Sequence, residues 1–242
     1  MKTVIIIPAR MASKRFPNKP MALIDNVPMI QRVWESAIRS GIGETYVACA
    51  EKEVFNFIVN LGGKPILTDP SLPSGTDRVF EAFNKIENIE IYDSIINLQG
   101  DMPLISPDHI KKVIQPLLNG FEIGTLATNL TLEQEIDINI TKVKIDWYDN
   151  TKVGKAVDFF KTPIDNIDQK YQHVGIYSFR VDSLKKFISF PQSENEVKLN
   201  LEQWRALDHG MNIGVIYADN VPISVDTKED LKKIESIIKS AK

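Results

Sequence analysis

The 242-residue chain is 43% hydrophobic and 25% charged, with 29 Lys and Arg against 32 Asp and Glu, for a net charge of −3. This is the composition of a globular chain with one large domain, or one domain with a lobe, and its near-neutrality excludes a general nucleic-acid binder. The single cysteine, Cys49, excludes an intramolecular disulfide, and no apolar run approaches membrane-spanning length, so a cytoplasmic enzyme is expected, one engaging neither nucleic acid nor membrane.

Residues 3–7 are apolar and β-branched, and Pro8 is expected to end a strand buried on both faces. The loop beyond carries Arg10, Lys14, Arg15 and Lys19 with no acid before Asp25. Clustered cations repel, so the loop either is a solvated basic surface or receives an anion. Its place beyond the carboxyl end of a strand favours the anion, and a chain of phosphates suits Arg forks and Lys point charges. Pro28 opens a helix with Ile30, Val33, Trp34, Ala37 and Ile38 on one face and Gly41 past its end. Residues 45–50 read as a strand, 51–61 as a helix closed by Gly62-Gly63, and 65–68 as a short strand. After a Pro- and Ser-rich loop over 69–75, Thr76 caps a helix to about residue 86. Residues 94–98 form a buried strand ending in Gln99-Gly100-Asp101, Ser106-Pro107 starts a helix to about residue 118, and 123–128 is a strand. This alternation predicts a parallel sheet with right-handed crossovers.

From about Leu130 the pattern changes. Residues 142–147 alternate, Asp149-Asn150 signals a turn, and 155–160 return as a hairpin partner. A polar loop over 162–172 precedes a strand at 173–179, and helical stretches follow near 182–188 and 197–208, the second ended by Gly210. Residues 213–218 are a strand, and Val225-Asp226-Thr227, taken as a strand end, leads into a helix over 228–239 with Thr227 and Asp230 as a capping pair. The expected architecture is one α/β domain spanning residues 1–242, a Rossmann-like, mostly parallel sheet with an antiparallel insertion at about 130–208.

Three short motifs stand out. In Ser74-Gly75-Thr76-Asp77-Arg78, Gly75 permits close backbone approach to a ligand, although the spacing alone favours a plain N-cap. In Asn97-Leu98-Gln99-Gly100-Asp101-Met102-Pro103, a carboxylate just past a buried strand is placed for a metal–triphosphate complex, or is an ordinary turn Asp. Asp226 could complete a metal site, though alone it reads as a helix-start acid.

Together with Ile-Pro-Ala-Arg-x-x-Ser-x-Arg-x-Pro-x-Lys-Pro over residues 7–20, these motifs resemble the signatures of the 3-deoxy-manno-octulosonate (Kdo) cytidylyltransferases, in which Ser-Gly-Thr-(Asp/Glu)-Arg, Gln-Gly-Asp-x-Pro and Val-Asp-Thr-x-Glu-Asp-Leu recur. The resemblance extends to His173-Val-Gly-Ile-Tyr177 and to Glu202-Gln203-Trp204-Arg205. It implies a fold of the nucleotide-diphospho-sugar transferase type and transfer of CMP from CTP to the anomeric hydroxyl of Kdo, releasing pyrophosphate, in lipopolysaccharide synthesis. On this resemblance Arg10, Lys19 and Asp101 are catalytic, and Pro8, Ala9, Arg10, Ser13, Arg15, Lys19, Ser74, Gly75, Thr76 and Gln99 bind CTP. Arg78, Lys161, His173, Tyr177, Glu202 and Gln203 bind the sugar acid, Asp101 and Asp226 hold Mg²⁺, and the insertion serves the sugar site and a homodimer contact.

Three positions depart from the family pattern: Lys161 for Arg, which keeps the charge and loses the fork, Ala50 for Asp, and Leu199 for an acid. They leave open a related acceptor, an 8-amino-Kdo or a sialic-type acid. A sialate-type enzyme usually has Gly-Gly-Ser where Met11-Ala12-Ser13 stands. A non-catalytic nucleotide-binding protein is the alternative from another class, against which Asp101 and Asp226 weigh.

Overall fold

The structure, a computed structural model, describes residues 1–12, 15–148, 152–162 and 170–240. These fall into two compact units, Met1–Ile110 with Pro222–Lys242, and Lys111–Val221.

The first unit starts with β1 (Thr3–Ala9), whose Val4, Ile5, Ile6 and Ile7 are fully buried. A small ribbon, β2 (Leu23–Ile24) and β3 (Val27–Pro28), leads into α1 (Met29–Ser40). There follow β4 (Gly43–Cys49), α2 (Lys52–Asn60), β5 (Lys64–Leu67), α3 (Gly75–Phe83), β6 (Ser94–Asn97) and α4 (Pro107–Lys112). The strands of this unit are parallel and ordered β5-β4-β1-β6. The chain therefore winds outward from β1 through β4 to β5, then crosses back to β6. The strand order reverses between β1 and β6, the place where open α/β sheets leave a crevice for a ligand.

Pro8 does not end β1; it lies within it, paired with Ala48. The Ile6 carbonyl accepts from Leu98 on the β6 side, and the Ala9 carbonyl accepts from Ala50 on the β4 side. Successive residues alternate sides, so Pro8 faces the β6 side, beyond Asn97, the last residue paired there. Its missing N–H costs no ladder bond. In α1 the inward face is Met29, Ile30, Val33, Ser36, Ala37 and Ser40, while Ile38 is 50% exposed, so the apolar stripe is narrower than the sequence suggests. Gly41 ends the helix at φ 62°, as expected. The cap of α3 is Ser74, whose Oγ accepts from the Asp77 N–H at 3.1 Å; Thr76 lies inside the helix, buried.

The second unit contains α5 (Gln115–Leu118), β7 (Ile123–Asn129), α6 (Leu132–Ile136), β8 (Lys142–Trp147), β9 (Val153–Phe160) and β10 (Tyr171–Arg180). It continues with α7 (Val181–Ser189), α8 (Glu194–Leu199), α9 (Gln203–Asp208) and β11 (Ile213–Tyr217). Its strands run β10-β7-β11-β9-β8, antiparallel except for β7 with β11, and β8 also pairs with β10 at Tyr171↔Val143 and Gln172↔Lys142. The helix expected over 106–118 is two pieces, because Pro116 cannot continue an α-helical ladder from the preceding turn. The helix expected over 197–208 is also two, separated at Asn200, which takes the left-handed conformation at φ 52°. The Asp149-Asn150 turn and residues 163–169 of the polar loop lie outside the described residues.

The last helix, α10 (Lys228–Ser240), belongs to the first unit. Thr227 and Asp230 form the expected cap: the Asp230 N–H donates to Thr227 Oγ1 at 3.2 Å, and the Asp226 and Thr227 N–H groups donate to Asp230 Oδ2. Residues 221–226 are not a strand, contrary to the sequence reading. Val225 reaches its place by packing instead. Fully buried, it shares an apolar cluster with Phe16, Ile24, Met29 and Ile234.

Candidate active site

The basic loop leaves β1 at Ala9 and is tied down at three points. Its Met11 N–H donates to Glu51 Oε2 at 3.0 Å, the Asn18 N–H donates to the Met11 carbonyl at 2.9 Å, and Phe16 is buried in the cluster beneath α10. The loop is thus closed at its base and anchored by an apolar plug. Arg10 and Arg15 remain exposed. Ser13 and Lys14 lie outside the described residues.

At the far end of the loop, Lys19 draws together parts of the chain that are distant in sequence. Its Nζ donates to Asp101 Oδ2 at 2.7 Å, to the Val225 carbonyl at 3.1 Å and to Asp226 Oδ1 at 3.4 Å. Arg15 Nη2 adds a 3.0 Å ion pair to Asp226. The Val225 N–H donates to the Asp101 carbonyl at 2.8 Å, locking the segment before α10 onto the turn after β6. The two acids expected at one point are therefore together, although Asp226 arrives through a loop rather than a strand end.

This arrangement suits Mg²⁺ by its chemistry. Two carboxylates converge on one cationic head, and the donors are hard oxygens. No cluster of three or more His, Cys, Asp or Glu is gathered as a metal site among the described residues, so water and phosphate oxygens would complete the shell.

Beside this cluster the Ser74–Arg78 segment meets the Gln99 turn. Asn97 Nδ2 donates to Thr76 Oγ1 at 3.2 Å, and Gln99 Nε2 donates to Asn97 Oδ1 at 2.8 Å. A Cβ placed on Gly75 would lie 3.4 Å from Gln99 Oε1 and 3.5 Å from Pro8 Cγ, and one on Gly100 would lie 2.9 Å from the Pro8 carbonyl oxygen. Pro8, Gly75, Thr76 and Gln99 thus share one corner, with Asn97 as the joint between them. Arg78 is buried: its Nη1 donates to Thr68 Oγ1 at 2.5 Å and to the Asp69 carbonyl at 3.0 Å, and Nη2 finds no hydrogen-bond partner among the described residues. Burial draws its pKa below the ordinary guanidinium value, opposed by Glu51.

The other sugar-acid candidates all lie in the second unit. His173 is buried, with Nε2 3.0 Å from Thr125 Oγ1 and its ring edge-on to Phe159. Burial lowers its pKa to about 3, so it is neutral at neutral pH. Its ring lies 5.4 Å from that of Tyr177, whose phenol burial pushes well above its usual range. Lys161 Nζ donates to the Asn200 carbonyl at 3.2 Å, and Trp204 Nε1 donates to the Phe159 carbonyl at 2.9 Å, which joins the end of β9 to the segment bearing Glu202 and buried Gln203. The sequence reading gives no role to Glu51, nor to Asn97 beyond its place at the head of the Gln99-Gly100-Asp101 motif. The signals were there: Glu51 is the first acid after β4, and Asn97 is a polar residue inside a buried strand.

The cytidylyltransferase family model matches residues 4–213. The chain belongs to the cytidylyltransferase family. It is similar to the 3-deoxy-manno-octulosonate cytidylyltransferase of Paramagnetospirillum magneticum, 40% identical over 240 residues with 98% of each chain covered. It is also similar to that of Rickettsia felis, 42% identical over 232 residues with 95% and 92% covered. A solved structure of CMP:2-keto-3-deoxy-manno-octonic acid synthetase complexed with CTP superposes with a TM-score of 0.90 over 100% of both chains, at 32% identity. No helix among the described residues is long and apolar enough to cross a membrane.

Proposed function

We propose that the chain transfers CMP from CTP to the anomeric hydroxyl of Kdo, giving CMP-Kdo and pyrophosphate. The observation that carries this reading is the cluster of Lys19, Asp101 and Asp226 at the edge where β1 and β6 end, in a chain similar along its whole length to proteins of that activity. Arg10, Arg15 and Lys19 hold the triphosphate. The anomeric oxygen attacks the α-phosphorus in line as the bond to the β-phosphate oxygen breaks, and the hydroxyl loses its proton. Catalysis then rests on positioning and charge neutralisation. Mg²⁺ held by Asp101 and Asp226 would polarise the phosphoryl group and neutralise the leaving pyrophosphate. Pro8, Ala9, Ser13, Ser74, Gly75, Thr76 and Gln99 contact the nucleotide.

On the sugar side Lys161 meets the carboxylate of the acid, and His173, Tyr177, Glu202 and Gln203 meet its hydroxyls, with Arg78 assigned to the same ligand from the family signature. A neutral, buried His173 is a hydrogen-bonding group suited to a hydroxyl rather than a counter-ion. The same reading takes the chain as one functional domain and includes a homodimer, a cytoplasmic location and a step of lipopolysaccharide synthesis.

The test is pyrophosphate release with Mg²⁺, using CTP, UTP, ATP and GTP against Kdo, 8-amino-Kdo and a sialic acid. CTP with Kdo is expected to turn over fastest, UTP more slowly, and the purine nucleotides not at all. Equal turnover with ATP, or none with any ulosonic acid, would overturn the proposal. Size-exclusion chromatography with light scattering checks the dimer.

A further inference from the structure

Lys142 is fully buried and forms no ion pair among the described residues, although the Asp137 and Glu135 carboxylates act on it at longer range. A buried lysine normally loses its charge or finds a strong set of acceptors. Here the acceptors are two backbone carbonyls: Lys142 Nζ donates to the Asp137 carbonyl at 2.5 Å and to the Lys161 carbonyl at 2.7 Å. One of these carbonyls belongs to a sugar-acid candidate, Lys161, and the main chain beside Lys142 leads to a second, His173. Lys142 opens β8, where its backbone pairs with Phe160 of β9 on one side and Gln172 of β10 on the other. Lys161 is the residue directly after β9, and the carbonyl before Lys142, that of Thr141, accepts from the His173 N–H at 2.9 Å.

We propose that Lys142 is a positioning residue for sugar-acid binding. Its ammonium fixes the main chain of Lys161 where the strand ends, and so sets where the Lys161 side chain can meet the carboxylate of the substrate. Where the β9 ladder ends at Phe160, the buried ammonium adds a bond to the Lys161 carbonyl. The inference rests on the reading that Lys161 contacts the acid, and it goes beyond that reading by placing the control of Lys161 in a residue that never touches the substrate.

The experiment is a double-mutant cycle read in KM and kcat with CTP and Kdo, on Lys142→Met, Lys161→Ala and the double variant. Lys142→Met is expected to raise the KM for the sugar acid about 10-fold, the scale of a lost hydrogen bond to a charged group, with the KM for CTP unchanged. In the Lys161→Ala background the same substitution should add less than about 2-fold, because the side chain it positions is gone. A residue that only stabilised the fold would lower the active fraction equally in both backgrounds. If Lys142→Met does not fold, Lys142→Gln, which can serve only one of the two carbonyls well, is put through the same cycle. An equal rise in both backgrounds, a matching rise in the KM for CTP, or no rise at all overturns the proposal. A Lys161→Ala enzyme with wild-type KM for the sugar acid would instead remove the reading of Lys161 on which the proposal stands.

Discussion

In the first unit, Lys19 reaches Asp101 and Asp226 across 82 and 207 residues of sequence with partly solvated charges, its own side chain 17% exposed and that of Asp226 37%. In the second unit the sugar-acid candidates are held by strand register, carbonyls and rings: buried His173 on Thr125, and the more exposed Lys161 on Asn200, its own carbonyl held by Lys142. The first arrangement is one that a polyanion and a cation can enter and rearrange. On the proposed function the second offers hydrogen-bonding groups of set direction, which suits selection among similar sugar acids. On that reading charge dominates the nucleotide side, while on the sugar side one cation, Lys161, acts among neutral hydrogen-bonding groups.

That contrast breaks most visibly if the second unit loses a buried partner. Arg205 and Glu196 form a two-point ion pair with side chains 6% and 5% exposed, and Arg205 also lies over the Phe187 ring. Arg205→Leu leaves Glu196 buried without its cation and should destabilise the protein by ~3 kcal/mol or more, measured by chemical denaturation. On the proposed Mg²⁺ site, Asp101→Asn should leave stability near wild type but lower kcat by ~100-fold or more, at least ~2.7 kcal/mol, because it removes a carboxylate that would hold the ion. Unchanged kcat in that variant would return Asp101 to the role of a turn residue.

The nucleotide side was legible in the sequence because its residues are carried by short motifs at strand ends. Local patterning marks the basic loop with Arg10 and Lys19 as an anion site and Asp101 as one candidate metal ligand, while the roles of Ser74, Gly75 and Gln99 come from the family resemblance. What could not be read was the wiring between them. That Asn97 joins Thr76 to Gln99, that Glu51 holds Met11, and that Phe16 and Val225 share one apolar cluster all depend on contacts between distant segments. Asp226 was expected after a strand and arrives on a packed loop, because burial of Val225 fixes its position without any ladder. In the second unit the strands were found but the helices were overextended. Pro116 and Asn200 interrupt apolar patterns that otherwise continue, and the roles of Lys161, His173 and Tyr177 came from family resemblance. Lys142 gave no local signal, since a lysine opening a strand reads as a solvent-facing end.

The buried state of His173 makes a smaller and directional prediction. Its folded pKa of about 3 lies below the unfolded value, so the unfolded chain takes up the proton first as pH falls. The stability contribution is complete above pH ~6.5 and is lost as pH drops toward 3, amounting to roughly 2 kcal/mol between pH 6.5 and 5. Denaturation at pH 7 and pH 5 should show this loss in the wild type and a smaller one in His173→Gln; equal losses in the two would show that His173 is not the group responsible.

The division of labour itself is tested most directly by measuring both Michaelis constants on one pair of variants, Gly75→Ala and Lys161→Ala. A methyl at Gly75 would meet Gln99 and Pro8 only at ordinary contact distance, so its effect falls on a nucleotide that approaches the Gly75 backbone closely; it should raise the KM for CTP about 5-fold while leaving that for the sugar acid unchanged. Lys161→Ala should raise the KM for the sugar acid about 10-fold and leave that for CTP unchanged. This crossed pattern is what the account predicts. A rise of both constants in both variants, or the reverse assignment, would contradict it.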